Sequence, residues 1–462
     1  MLRWLLGSRE PQARTEKTAI FNIGEEQTQN PYTELTALKA HHDIVRFLVQ
    51  VDDNRFASAC DDGSVIIWDV QTGEVLFELH GHTQKITAIL VLPRNEIHIE
   101  RLDLMLTASA DRTVIAWDCE SGQEVHKASD FLSTVKTLTV LQSLDVWLTG
   151  GGELRVWSHD FKVLGETGSF SDGGIAALVE LPKNCVAAAI GRDLRVFKFN
   201  AGAAGSDMWD VSEVKCLSAH QEVIRTLANV NEFTFVSGSH AGELIVWNAL
   251  DWSLQAFEKN LSQVASPQDV PPENKLLPLQ EEVSIQYIAS DGECVYVAVC
   301  RSIYVYNLQT KRVIAYQKNA HDSDIQHMAT LPNRQLVSCS EDGSVRIWDL
   351  RSKPQYQAEP VPAVGFFTMW GFGKPGKPSN HTVKKPADPG IIASLELIGD
   401  LIGHSSSVQM FLYFQDHGLV TCSADHLIIL WKEGRRESRL RSLLLFQKLE
   451  QNGDLRAKFS LH

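Results

Sequence analysis

Apolar and polar positions alternate along most of this chain in short runs, and the runs come in sets. Asn319 to Leu350 is the clearest set. It has a small residue and a histidine (Ala320, His321), alternating apolar positions, a Ser-rich stretch, an Asp342-Gly343 turn, and an apolar run ending at Trp348-Asp349. Period-two patterning, with runs such as Val65-Ile66-Ile67-Trp68 and Leu427-Ile428-Ile429-Leu430-Trp431 bounded by Asp, Gly and Asn, predicts strands. His321 and Trp348 stand 27 residues apart, as do His41 and Trp68, His220 and Trp247, and His404 and Trp431. Between His82 and Trp117 the interval is 35, because extra residues sit around 93–101.

A unit recurring every 40–45 residues or so, each with several strands, predicts a β-propeller in which one unit makes one four-stranded blade. One blade alone cannot bury both faces of its sheet; radial stacking does so, and closing the ring protects the strand edges. The aromatic closing each third strand is Trp68, Trp117, Trp157, Phe197, Trp247, Tyr306, Trp348 and Trp431, so eight blades are expected over residues 32–432.

These motifs resemble the WD-repeat family. The resemblance implies a hydrogen-bonded tetrad in the clear units, carried here by His82, Ser109, Asp111 and Trp117; by His321, Ser340, Asp342 and Trp348; and by His404, Ser423, Asp425 and Trp431. In the first unit Cys60 takes the Ser position beside His41, Asp62 and Trp68. In the fifth, Ala241 stands at the Asp position, and Gly151, Gly191 and Cys300 stand there in the third, fourth and sixth. A Ser, His and Asp set also invites a catalytic-triad reading. Its recurrence with a Trp at fixed offset favours a satisfied, buried structural network instead, so no catalytic residue is assigned.

Composition excludes little else. The 462 residues carry a net charge of −14, which disfavours general affinity for nucleic acid or anionic lipid. Eight cysteines without a CxxC pair read as small core residues, with Cys60, Cys185, Cys300, Cys339 and Cys422 on predicted strands in a reducing compartment. No secretory leader and no run of about 20 apolar residues is apparent, so a cytosolic location is expected. Neither a metal cluster nor a cofactor motif emerges. Gly371 to Lys377 matches a phosphate loop by chance, since Pro378 replaces the required Ser or Thr and no helix can follow.

Outside the repeats lie four candidate elements. Residues 1–31 form an irregular arm containing the β-compatible run Thr18 to Ile23. The stretch Tyr32 to Lys39 is placed to complete the last blade. An insertion at 258–282 is rich in proline and reads as a solvated linker. The insertion at 351–391 differs: its centre holds Phe366, Phe367, Met369, Trp370 and Phe372, and with six Lys or Arg against Glu359 and Asp388 it is net +4. An aromatic wedge with a basic rim suits a partner's apolar cavity near a membrane, or the bilayer interface. In the C-terminal extension, 433–462, the run Arg435 to Gln451 predicts an amphipathic helix bearing Leu440, Leu443, Leu444, Phe446 and Leu449, suited to a partner's groove.

Within the WD-repeat family, AHHDIVRFLVQ (40–50), GHTQKITAI (81–89), TASADRTVI (107–115), FFTMWGFG (366–373) and the run from Leu401 to Lys432 resemble a non-catalytic scaffold subfamily over nearly the full length. That resemblance implies a cytosolic complex with two DENN-domain proteins that regulates small GTPases and autophagy. It further implies recruitment to lysosomes, with a lysosomal membrane protein as the partner assigned to the 351–391 insertion. An alternative is a substrate receptor of a cullin-type ubiquitin ligase, suggested by Trp348-Asp349-Leu350-Arg351. Neither reading involves nucleic acid or a small-molecule substrate.

Overall fold

A computed structural model describes residues 30–92, 103–170, 173–201, 208–261, 283–352 and 392–451. Among them, thirty-two strands form eight antiparallel sheets of four. Seven sheets take their strands in chain order. In the eighth, Glu34–Leu38 lies outside Ile428–Lys432, which is followed inward by Gly418–Ser423 and Val408–Phe414. The first strand of the chain therefore completes the last blade, in register from Glu34 opposite Lys432 to Leu38 opposite Ile428. First strands of successive blades lie side by side around the axis, and the last of them meets the first, so the ring is closed.

Closure follows from where the apolar residues point. Each sheet is buried on both faces, so its middle strands are almost wholly apolar, as in Cys185–Ile190 and Cys294–Val299. The buried residues fall into eight clusters, each between two neighbouring blades. One of them joins Val45, Phe56 and Trp68 of the first blade to Leu38, Phe414, Val420, Ile428 and Leu430 of the last. A polar tie reinforces the same seam, Lys432 Nζ donating to the Gln71 carbonyl at 2.6 Å, while Asn30 Nδ2 donates to the Asp400 carbonyl of the seventh blade at 3.2 Å.

Two sequence expectations change here. The third strand of the seventh blade runs to Ser352 and its outer partner is Ala393–Ile402, paired as far as Ser352 opposite Ala393. Arg351 and Ser352 thus belong to a strand and not to an insertion. The ladder continues past the blade as a ribbon pinned by Arg351, whose guanidinium pairs with Asp349 at 3.0 Å and Glu396 at 2.6 Å. The ribbon also covers the neighbouring blade: the Ile392 N–H donates to the Ile314 carbonyl, and Ala393 and Leu395 pack with Ile314 and Ala315. Cys300 is not on a strand but in the turn after Cys294–Val299, half-buried at φ 50°. All eight cysteines are free thiols, and burial pushes those of Cys60 and Cys119 up to about 12.

The helix expected at Arg435–Gln451 spans Gly434–Gln451. Among the described residues, no helix is long and apolar enough to cross a membrane. Because Leu38 is only 7% exposed in the seam between first and last blades, Leu38→Ala is expected to lower the unfolding free energy by about 2–4 kcal/mol, measurable by urea denaturation.

Candidate functional site

The conspicuous polar groups of this ring are buried chains that tie five of its eight blades, the first, second, fifth, seventh and eighth, to the loop above. In the second blade Trp117 Nε1 donates to Thr107 Oγ1 at 2.8 Å. The same hydroxyl meets His82 Nε2 at 2.8 Å, and His82 Nδ1 reaches Asp111 Oδ2 at 3.1 Å. The seventh blade repeats this with Trp348, Ser338, His321 and Asp342, and the eighth with Trp431, Thr421, His404 and Asp425. One proton arrangement satisfies every atom. The indole donates to the hydroxyl, the hydroxyl donates to Nε2, and the Nδ1–H donates to the carboxylate.

This corrects the hydroxyl assignment made from sequence. Ser109, Ser340 and Ser423 do not bridge His and Trp; they donate to the carbonyls of Gln84, Ser323 and Ser406 at 2.9–3.1 Å and accept the backbone N–H of the following Asp. Their task is to pin two loops together. The bridging hydroxyl lies two residues earlier, ten before the Trp, a regularity visible in Ser58, Thr107, Ser237, Ser338 and Thr421. Cys60 is consequently no departure, because Ser58 bonds both His41 (2.6 Å) and Trp68 (2.8 Å).

The degenerate blades solve the same problem differently. Ala241 leaves the fifth blade without its Asp, but Glu243 reaches back so that Oε2 accepts from His220 Nδ1 at 3.1 Å and from Ser239 Oγ at 2.9 Å. Blades three and four place Phe131 and Phe170 against Trp157 and Phe197, with ring centroids 5.7 and 5.9 Å apart. Over each Phe lies an arginine, Arg155 at 4.9 Å and Arg195 at 5.6 Å. Arg155 pairs with Asp130, Glu153 and Glu166 at 2.9–3.1 Å. An aromatic pair capped by a cation thus replaces the imidazole chain.

Could any of these chains act chemically? The order carboxylate, imidazole, hydroxyl is that of a triad, yet Ser58, Thr107, Ser237, Ser338 and Thr421 are all fully buried. Each hydroxyl also holds an indole N–H, so no substrate atom can approach it. Burial depresses the imidazole pKa values at His82, His220 and His404 against the opposing pull of their carboxylates, and takes His41 to about 4. Asp111 and Asp425 sit below the usual carboxylate range although burial works the other way, because donors and the imidazole outweigh it. Among the described residues no His, Cys, Asp or Glu group is arranged to hold a metal ion.

Outside the ring, the terminal helix turns its leucines to solvent. Leu440 is 38% exposed, Leu443 58%, Leu444 55% and Leu445 58%. It meets the propeller through polar contacts near its base: the Gly434 N–H donates to Thr33 Oγ1, Arg436 pairs with Asp416 at 2.8 Å, and Arg441 grips Glu34 with both nitrogens at 2.6 and 3.0 Å. The side chains of Phe446 and Leu449 lie outside the described residues, as do Phe366, Phe367, Met369, Trp370 and Phe372. What is described is the ribbon carrying that insertion, and it leaves the ring on the face opposite the buried histidines.

A closed ring of four-stranded blades held by Trp–hydroxyl–His–carboxylate chains defines a WD-repeat β-propeller, a class of scaffold, typically non-catalytic, that works by binding proteins. The chain belongs to the WDR41 β-propeller family, whose model matches residues 1–441. It is 62% identical to human (Homo sapiens) WD repeat-containing protein 41 over 98% of this chain and 99% of that one, and 58% identical to the Mus musculus protein over the same shares. A computationally designed protein, Ika8, superposes with a TM-score of 0.60 at 20% identity, covering 86% of this chain and 98% of its own, a likeness of fold alone.

Thr107→Val strands the His82 and Trp117 nitrogens in the core and is expected to cost about 2–3 kcal/mol, against about 1 for Ser109→Ala; urea midpoints of the two variants decide which hydroxyl bridges. His41 and His327 both titrate near 4 in the fold instead of their ordinary 6.5, His327 because burial between Tyr287 and Phe411 depresses it. The unfolded chain therefore binds more protons between those values, so stability is full above pH 6.5 and falls as pH drops toward 4. Thermal unfolding followed by circular dichroism at steps across that interval is expected to show a falling midpoint.

Proposed function

We propose that this propeller is the non-catalytic scaffold subunit of a cytosolic complex with two DENN-domain proteins, regulates small GTPases and autophagy through that complex, and carries it to lysosomal membranes. The observation that carries this reading is the exposed leucine face of the terminal helix. A helix that is anchored to its own ring by arginine–carboxylate pairs, with Leu443 and Leu444 more than half exposed and Leu440 beside them one turn earlier, has that leucine stripe available to another protein. Burying a leucine side chain contributes about 1.5–3 kcal/mol before ordering costs, enough for three such residues to dominate an interface.

Recruitment is assigned to the insertion carried by the Ser344–Ser352 and Ala393–Ile402 ribbon. Its aromatic cluster and basic residues suit an apolar cavity in a lysosomal membrane protein. Arg351 argues against the ubiquitin-ligase alternative, since the guanidinium that would contact an adaptor is already paired within the ribbon.

Co-purification from cells separates the two surfaces. Leu443→Glu/Leu444→Glu is expected to lose the DENN-domain partners while the ring stays folded. Phe366→Ala/Phe367→Ala/Trp370→Ala is expected to keep the complex and lose lysosomal association, scored by fractionation. Wild-type behaviour of both variants would overturn the proposal.

A further inference from the structure

A cavity of about 110 Å³ lies at the root of the terminal helix. Three stretches remote in sequence enclose it: Tyr32, just before the closing strand; the turn at 415–418, at the end of the eighth blade away from His404; and the entry to the helix, 433–437. The Gly434 N–H donates to Thr33 Oγ1 and the Thr33 N–H to the Lys432 carbonyl, both at 3.2 Å, so the first and third stretches are tied together. Gly418 shapes the wall. Its φ is 94°, and the Tyr32 ring stands 3.3 Å from where a Cβ would be, so that ring lies against bare backbone.

The lining has one chemical character. Tyr32 and Tyr413 give it aromatic surface, while Asp416, Glu433 and Glu437 give it three carboxylates. One guanidinium answers them, that of Arg436, and it is paired with Asp416 at 2.8 Å. The cations on either side are committed elsewhere: Lys432 to the Gln71 carbonyl, and Arg441 to Glu34. Burial and then the Lys432 ammonium hold the His417 imidazole below its ordinary value, so it adds no positive charge at neutral pH. Among the described residues neither Glu433 nor Glu437 has an ion-pair partner, and three carboxylates against one guanidinium leave two negative charges facing the cavity.

We propose that this cavity receives a basic side chain of the protein that covers the leucines, its charge met by Glu433 and Glu437 and its stem by Tyr32 and Tyr413. Continuity of the helix surface carries the argument. Glu433, Arg436, Glu437, Leu440, Leu443 and Leu444 follow one another at intervals of three and four residues, so the cavity lining and the leucine stripe share one face. A partner segment laid along the leucines therefore reaches the cavity at its end. Tyrosine faces attract a cation, and carboxylates beside them fix its position, the combination that makes a charged anchor at the edge of an apolar contact. This inference rests on the leucine-helix reading above and adds to it a requirement for charge.

The test immobilises the full chain and follows dissociation of the two-protein DENN-domain assembly, purified without it, by biolayer interferometry at low and high salt. Glu433→Gln/Glu437→Gln is expected to release the assembly about tenfold faster than wild type at low salt, and the difference should shrink at high salt, where screening weakens the wild-type contact. Glu433→Lys/Glu437→Lys should release it faster still. Glu222→Gln/Glu232→Gln, which removes two exposed carboxylates from the fifth blade, should match wild type. Leu443→Glu/Leu444→Glu separates the two readings. Wild-type binding by that variant, or no binding by wild type itself, overturns the leucine-helix reading and the cavity with it. Loss by the leucine variant with wild-type rates in Glu433→Gln/Glu437→Gln overturns the cavity proposal alone, as does equal loss in the fifth-blade pair. Thermal midpoints matching wild type show that the variants are folded, and Glu433→Gln alone, at an exposed position, keeps the question answerable if the double change is not tolerated.

Discussion

A ring of sheets is stable only when its two ends meet, and here they meet through a strand borrowed from the far end of the chain. Glu34–Leu38 supplies the outer edge of the last blade, so the seam between first and last blades is zipped by a backbone ladder as well as by side chains. Every other inter-blade interface depends on that seam, because a gap anywhere would expose the apolar faces of two sheets at once. Closure also explains why the tetrads are tolerable. A buried imidazole with both nitrogens satisfied costs little, whereas the same group at an open edge would exchange its partners for water.

The tetrads and their substitutes show one mechanical requirement met by several chemistries. In seven of the eight blades the third-strand aromatic is held against the loop entering its blade. Where a His is present, the indole reaches it through a hydroxyl. Where Phe131 and Phe170 stand instead, ring packing and an arginine do the holding.

Rigidity at the centre makes the periphery usable. The helix and the ribbon both project from the ring on short, well-defined attachments: two arginine–carboxylate pairs for the one, a continuous ladder for the other. Exposed ion pairs hold orientation with little energy, about 0–1 kcal/mol each. A partner that covers the leucines can therefore tilt the helix at small cost, while the ladder itself is fixed to its blade as far as Ser352 opposite Ala393.

Much of this architecture is legible in the chain alone. Strand period, turn residues and the 27-residue His-to-Trp interval are local properties, and they suffice for the blade number, the closing strand and the terminal helix. Which hydroxyl bridges His and Trp is not local. Thr107 and Ser109 are two residues apart on one face of one strand, and only the depth of the neighbouring blade's packing decides that the first reaches the imidazole and the second a carbonyl. Glu243 replaces a missing Asp from another backbone position because the fold brings it within 3.1 Å of His220, a distance no spacing rule encodes. The extension of the seventh blade's ladder to Ser352 and the outward turn of the leucines likewise arise from packing: pattern marks a residue as apolar, and tertiary contact alone determines whether its own chain covers it.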